Sequence, residues 1–497
     1  MTLELDEVKR CTDLLQAIVS DRALLAGIAL PEQVALLTAA GKAANPDRDA
    51  QRRLTKAVQK KGRVLKQNQD RQVRASVGIR ASRQGNPIES LGPGVPVSIR
   101  SEQVLHRPRH CYICKAEFRT LHFFYDALCP PCGDFNYSKR SPTGSLWGRT
   151  ALITGARVKI GFQAGLMLLR SGARVIVSTR FPADAAKRYA LEFDFAAWSD
   201  RLHIHGLDLR HAPSVELFAE YVGRRYERLD MLINNAAQTV RRPPGFYQHL
   251  QKLELGALDS IAKTAAPLLS DHLDCVATLP ASQQNLSWRS SDRGLGIRAS
   301  AALSQVPYHL EQDTDQSSYF PAGHFDADQQ QVDLRKVNSW RLKLAEVETA
   351  EMLEVHLVNA VAPFILCGKL KPLMLRDRVQ PGHIVNVSAM EGSFSRGTKT
   401  DKHPHTNMAK AALNMMTLTS GQDYAGDRIY MNAVDTGWVT DEDPALHAHR
   451  KTTELDFQPP LDIVDGAARI LDPIFSSLQT GQCVWGNFFK DYRPTAW

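Results

Sequence analysis

Four cysteines stand in two pairs, Cys111-x-x-Cys114 and Cys129-x-x-Cys132, with fourteen residues between the pairs. Each pair puts two thiolates on one tight turn, and two such turns complete a tetrahedral zinc site. Four protein ligands leave the ion no open position, so the expected Zn2+ is structural and not catalytic. His110 and His122 flank the pairs as substitute ligands, and Gly133 follows where a tight backbone would suit it. Tyr112, Phe118, Phe123, Phe124 and Tyr125 would supply the core that so small a module otherwise lacks.

A second constellation begins at "ALITGARVKIG", a strand running into a glycine-containing turn and then a helix. That arrangement aims backbone N–H groups and a positive helix end at a pyrophosphate. Asp208 follows the third strand pattern, and Asn234-Asn235-Ala236-Ala237 follows the fourth. On these residues the chain resembles the short-chain dehydrogenase/reductase superfamily. The TGxxxGxG turn stands as Thr154 to Gly161, the Asn-Asn-Ala-Gly strand end as Asn234 to Ala237, and the helical asparagine as Asn359 in "LVNAVAPF". Thr436-Gly437 matches the strand-end Pro-Gly, and Lys410 the helical lysine. The resemblance covers 148–240 and 343–440. It implies a Rossmann-like, doubly wound parallel sheet that binds a dinucleotide at its switch point. Gly155, Arg157, Lys159, Ile160, Gly161, Arg180, Asp208, Asn235, Ala236, Lys410 and Gly437 are the positions it assigns to the cofactor. Lys159 stands where the second glycine of the turn belongs, and Arg157 adds to the positive field. The second strand ends in Arg180 with no acidic residue, which favours the 2′-phosphate of NADP(H) over NAD(H).

The resemblance carries less of the catalytic site. Such enzymes use a tyrosine to donate a proton, a lysine one turn later, and a serine on the substrate oxygen. Lys410 and Asn359 are in place, but Thr406 stands at the tyrosine and Ala389 at the serine. A threonine hydroxyl cannot donate near neutral pH unaided. Ser388 lies one residue away and so on the opposite face of its strand. His403 and His405 titrate in a useful range but read as surface residues of a loop. Glu391 and Asp435 lie near the pocket mouth.

These groups need elements to hold them. Strand and helix patterns alternate from 148 to 240 and again after 343, which implies βαβ units. Residues 241–342 break the rhythm and read as an insertion, partly flexible, placed to cover a substrate pocket or recruit a partner. Upstream, 1–45 reads as two helices, the second from Pro31 to Gly41. Residues 46–105 read as a basic helix capped by Asn45 with a linker from 76, 106–145 as the zinc ribbon-like module, and 146–497 as the α/β domain. The net charge of +8 is concentrated, because 48–83 holds twelve Lys/Arg against Asp49 and Asp70. A basic helix beside a zinc module raises nucleic-acid binding, although few aromatics are there to stack on bases.

Hydrophobic content of 43% and 23% charged residues are ordinary for a globular chain. No run of eighteen apolar residues appears, so no membrane span is expected. The start lacks a secretory pattern, which points to the cytoplasm and to reduced cysteines. Three functions stay open: an NADP(H)-linked oxidoreductase with an unusual acid, a silent nucleotide-binding scaffold or sensor, and a nucleic-acid-associated protein. The substrate or protein partner is not specified, and the fold is compatible with a homo-oligomer.

Overall fold

The structure, a computed structural model, describes residues 4–83, 103–142, 144–256, 263–279, 292–308, 316–326, 329–376 and 380–497. Most of the linker read between 76 and 105 lies outside the described residues. Two compact units form, 1–72 and 73–497.

The first unit is helical. α1 (Leu5–Ser20) ends where Asp21 turns the chain into a short 3-10 segment, Arg22–Gly27, by accepting the Ala23 N–H. α2 (Leu30–Ala44) runs straight through Gly41, which the sequence reading took as its end. Gly41 meets no neighbouring atom and nothing there demands a left-handed residue, so the hydrogen-bond ladder continues. α3 (Arg48–Ala75) is capped by Asp47, whose carboxylate accepts the Ala50 N–H, and not by Asn45. Leu54, Val58 and Leu65 of α3 are exposed, as its thin apolar stripe implies.

The second unit starts with α4 (Gly78–Ser82), the antiparallel pair β1 (Val104–His110) and β2 (Glu117–Thr120), and α5 (Pro130–Lys139). The βα series follows: β3 (Thr150–Thr154), α6 (Lys159–Arg170), β4 (Arg174–Thr179), α7 (Pro182–Ala190), β5 (Leu202–Gly206), α8 (Ala212–Arg225) and β6 (Met231–Asn234). Within the insertion lie α9 (Pro244–Glu254), α10 (Ser270–Ala277) and α11 (Leu295–Arg298). The chain resumes with α12 (Thr349–His356), α13 (Ala362–Met374), β7 (Gly382–Ser388), α14 (Pro404–Gly426), β8 (Ile429–Asp435), α15 (Ala445–Leu455) and α16 (Ile463–Thr480). β9 (Phe488–Lys490) and β10 (Arg493–Thr495) close it.

Eight of these strands form one sheet in the order β10-β9-β8-β7-β6-β3-β4-β5, parallel throughout except for β10. The order reverses between β3 and β6, which is the switch point of a doubly wound sheet. Alternate strand residues feed two apolar layers. Ile153, Val177, Ile233 and Val385 enter one with α6 and α16, whereas Leu152, Ile176, Leu232 and Ile384 enter the other with α8 and α13. Both faces are covered, so the strands read as near-continuous apolar runs. Residues Thr349–Met374 are apolar and long enough to cross a membrane. Here Leu366, Leu370 and Leu373 of that stretch are buried in the second layer, against the sheet.

The cysteine segment packs its core against the α/β domain. Its Leu105, Phe118, Tyr125 and Leu128 share one core with Val439 and Leu461 of the α/β domain. Arg140 pairs with Asp462 at 2.8 Å and Asp465 at 2.9 Å, and Arg80 with Asp456 at 2.6 Å. Too small to bury its own aromatics, the segment buries them on its neighbour.

Candidate functional site

β3 delivers the chain into the glycine turn. Gly155 has φ +68°, and a Cβ there would stand 2.8 Å from the Ala236 Cα. Asn235 Nδ2 donates to the carbonyls of Thr154 (2.9 Å) and Gly155 (3.1 Å), and the Ala236 N–H donates to Thr154 Oγ1 at 3.0 Å. Gly161 packs against the Asn235 amide and the Gly155 carbonyl with no room for a side chain. Asn235 and Ala236 therefore shape the turn. Lys159 sits at φ +56°, a left-handed position that only glycine takes without strain. Burial opposes charge on Glu442, yet Lys159 and Arg242 hold that carboxyl below its usual range. A carboxylate thus competes with any anion for Lys159. The Ile160 side chain faces the cysteine segment's core, so only its backbone is available to the turn.

At the second and third strand ends, three assigned cations and anions meet the protein's own groups. Arg157 is buried and bonds Asp184 Oδ2 at 2.6 Å, so its charge is spent on α7. Arg180 donates to the Tyr247 hydroxyl at 2.7 Å, with its guanidinium 4.7 Å from that ring. Both carboxylate oxygens of buried Asp208 accept from Arg210, which also reaches Glu354 at 2.8 Å. In this structure all three side chains are engaged by the protein's own groups. The insertion supplies much of the cover. Ser300 donates to the Arg180 carbonyl, Gly296 accepts the Asp208 N–H at 2.8 Å, and Glu254 accepts the Ala183 and Asp184 N–H groups at the start of α7. Burial raises the Glu254 carboxyl to about 7. Phe181, Phe246, Tyr247, Leu250, Ala301 and Phe320 form a local apolar cluster around this end. Through Tyr247, Gly296 and Ser300 the described part of the insertion covers the ends of β4 and β5. Tyr247 and Glu254 carried no signal in the sequence, because they lie in the insertion, between the motif ending at Ala237 and Asn359.

The catalytic corner lies at the ends of β7 and β8. Asn359 sits in a π-helical turn, Leu357–Val361, where its side chain exchanges two hydrogen bonds with the Gln238 backbone at 2.9 and 2.8 Å. Such π turns widen a helix at one residue and recur at functional sites. Lys410 is buried and donates to the Val387 carbonyl at 2.8 Å, and burial lowers it to about 8. Thr406 is buried with its hydroxyl 3.5 Å from the Thr239 carbonyl. Ser388 turns away from Ala389's side to bond Asn414 on α14, as the strand alternation requires.

The histidines are not surface residues. His405 is buried, neither ring nitrogen has a partner among the described residues, and burial lowers it to about 4. His403 takes φ +42° and stacks on Trp340 at 3.9 Å. Glu391 pairs with Arg396, while Asp435 pairs with Lys490 at 3.1 Å and accepts the Gly437 N–H. Gly437 itself has φ +76°. Beside this corner, Arg241, Tyr308, Phe320, Ser339, Leu342 and Glu351 line part of a cavity of about 260 Å³.

The four cysteines meet as their spacing predicts. Cys111 and Cys114 lie in the turn between β1 and β2, and Cys129 and Cys132 at the start of α5. All four sulfurs fall within 4.8 Å of one another, with Cys114 and Cys129 at 3.6 Å. The cluster could hold a metal ion. His122 is no ligand: its Nδ1 accepts the N–H groups of Phe124 and Tyr125, and its ring fills the space beside Gly133. That packing, and not a tight turn, is what Gly133 serves.

Comparison with known proteins follows this geometry. Residues 149–255 match the family described as short chain dehydrogenase, and 337–456 match the family described as enoyl-(acyl carrier protein) reductase. The two matches fall in chain order, and 256–336 of the insertion lies between them. They support placing the doubly wound domain in the short-chain dehydrogenase/reductase superfamily. Uncharacterized protein R665 of Acanthamoeba polyphaga mimivirus is 28% identical over 399 residues, 77% of this chain and 74% of that protein. That share exceeds what 146–497 makes up, so the likeness reaches into the N-terminal part. Human dehydrogenase/reductase SDR family member 13 is 36% identical over 107 residues, 22% of this chain and 26% of its own length. The chain thus spans about a quarter of that relative. Among solved structures, the NADPH-bound carbonyl reductase from chicken fatty liver is 18% identical at a TM-score of 0.41, covering 71% of this chain and all of that one.

Proposed function

We propose that this chain is a divergent short-chain dehydrogenase/reductase-type protein that takes NADP(H) at its glycine turn but does not carry out ordinary carbonyl reduction. The observation that carries it is the state of the catalytic corner. The groups left there, Thr406 and Lys410, rest on the carbonyls of Thr239 and Val387, Ala389 offers no hydroxyl, and His405 is uncharged. Nothing among these is a proton donor matched to neutral pH apart from Lys410 itself.

The support for a dinucleotide is the turn at 155–161, where Gly155 and Gly161 keep side chains away and Asn235 fixes the backbone. A bound nicotinamide would supply hydride chemistry, and this chain's part is to hold it. Arg180 is the group for a 2′-phosphate, which would replace the Tyr247 hydroxyl as its partner. In the same reading the cysteine cluster takes zinc and stays out of the chemistry.

A second reading, an active oxidoreductase, is favoured by one observation: burial brings Lys410 to about 8, within range of a general acid. Purified full-length chain should be titrated with NADPH and NADH by fluorescence, then screened for hydride transfer on carbonyl and alcohol panels. Tighter NADPH binding without turnover is the expected result. Turnover that Lys410→Met abolishes without loss of binding would establish the second reading instead.

A further inference from the structure

Tyr112 lies between Cys111 and Cys114, and its hydroxyl accepts the Trp438 N–H at 3.0 Å. Trp438 belongs to the loop that leaves β8 at the dinucleotide end of the sheet. At the neighbouring Gly437, φ is +76° and a Cβ would stand 2.5 Å from Leu461 Cδ1, so this position takes glycine, with the Tyr112 hydroxyl in ordinary contact beside it. Lys490 places its ammonium 5.7 Å from the Tyr112 ring and pairs with Asp435, whose carboxylate holds the Gly437 N–H at 3.0 Å. On the other side of the cleft, Ile160 of the glycine turn packs into the core that contains Cys111 and Cys129. The knuckle therefore touches the loop after β8 directly and shares a core with the glycine turn's Ile160.

The four sulfurs suit a single ion. A tetrahedral zinc with bonds of about 2.3 Å separates its sulfurs by roughly 3.8 Å, close to the 3.6 Å between Cys114 and Cys129. The knuckle's backbone is tied as well: the Cys111 N–H donates to Ala116 and the Tyr112 N–H to Ala127, both at 2.9 Å. Tyr112 is thus held at a fixed height above the turn only while the turn itself is closed.

We propose that a zinc ion on Cys111, Cys114, Cys129 and Cys132 fixes, through Tyr112, the loop that follows β8, so that metal occupancy governs the order of the dinucleotide cleft. Without the ion the two knuckles are joined only by the Tyr112 N–H bond to Ala127 and their shared core, which loosens Tyr112 and weakens its hold on the Trp438 N–H. The consequence for cofactor affinity rests on the function proposed above; the consequence for the loop does not.

The test uses the full chain. Zinc is measured by elemental analysis, then removed with a mercurial and a chelator, and amide exchange is followed at 436–440 with NADPH affinity in parallel. Tyr112→Phe keeps all four thiolates and removes only the link. One zinc per chain is expected, with exchange at Trp438 at least tenfold faster after stripping and in Tyr112→Phe, and NADPH bound several-fold more weakly in both. Absence of zinc from the purified chain overturns the metal site. Exchange at Trp438 that ignores both stripping and Tyr112→Phe overturns the coupling. If the intact chain binds no dinucleotide while exchange responds as described, the cofactor reading fails and the coupling stands.

Discussion

Thr406 is where the residue scale decides most. A phenol one turn before Lys410 would sit against a cation that favours its ionised form, and Ala389 occupies the place from which a hydroxyl would orient a carbonyl oxygen. We predict that Thr406→Tyr with Ala389→Ser gains measurable carbonyl reduction, and that Thr406→Ala leaves the parent's behaviour unchanged. Loss of a native turnover in Thr406→Ala would show the threonine to be catalytic. Lys159 gives a second residue-scale prediction. A side chain at φ +56° costs about 1–2 kcal/mol, so Lys159→Gly should stabilise the fold in urea relative to Lys159→Ala, which keeps the strain. Equal midpoints for the two variants would show the strain to be absorbed elsewhere. These motif positions were legible in the sequence because each is a backbone requirement. The partners of Arg157, Arg180 and Asp208 were not, since the tertiary fold sets them: α7 brings Asp184, the insertion brings Tyr247, and Arg210 turns back on Asp208.

At the scale of elements, α9 acts as a plug. Its Tyr247 occupies Arg180, and its Glu254 caps α7 in the manner of a bound anion. Both anion-seeking groups at that end of the sheet are satisfied from within the chain. An NADP(H) 2′-phosphate must displace them, so Tyr247→Ala should bind NADPH more tightly than the parent, by about tenfold for a hydrogen bond worth roughly 1.4 kcal/mol. Arg180→Ala should then remove the preference for NADPH over NADH. Equal affinities for Tyr247→Ala and the parent would mean that the plug lies outside the ligand's path. Residues 241–342 show in the sequence as a break in rhythm beside a substrate pocket, but their contacts with α7 and the ends of β4 and β5 do not show there. Periodicity reports an element's own amphipathic face and says nothing about which distant face it covers. The same limit explains the cysteine segment, whose ligand spacing was plain while its shared core with Val439 and Leu461 was not.

For the whole molecule, four buried histidines set the response to acid. Burial lowers His205 to about 3 and His272, His383 and His405 to about 4. Each is neutral in the fold and binds a proton near pH 6.5 when unfolded. The stability they allow is complete above pH 6.5 and is lost as pH falls through 6.5 toward 4, by up to about 3 kcal/mol for each such group. Thermal midpoints should fall steeply across that window, and His405→Phe, which removes one of these groups, should flatten the fall. A midpoint that stays level from pH 7 to 4.5 would contradict this account.

The separation of β6 from β7 has a consequence in time. These strands are neighbours in register, Ile233 beside Val385, yet the insertion places them roughly 150 residues apart. A ribosome adding about 5–20 residues per second needs on the order of 10–30 s to deliver β7 after β6 has emerged. Throughout that interval the nascent half-sheet β5-β4-β3-β6 presents β6 as an open edge, apolar up to Asn234, a feature prone to pair with another chain. Yield in the cell should therefore depend on how fast the insertion is translated and on what shields that edge meanwhile.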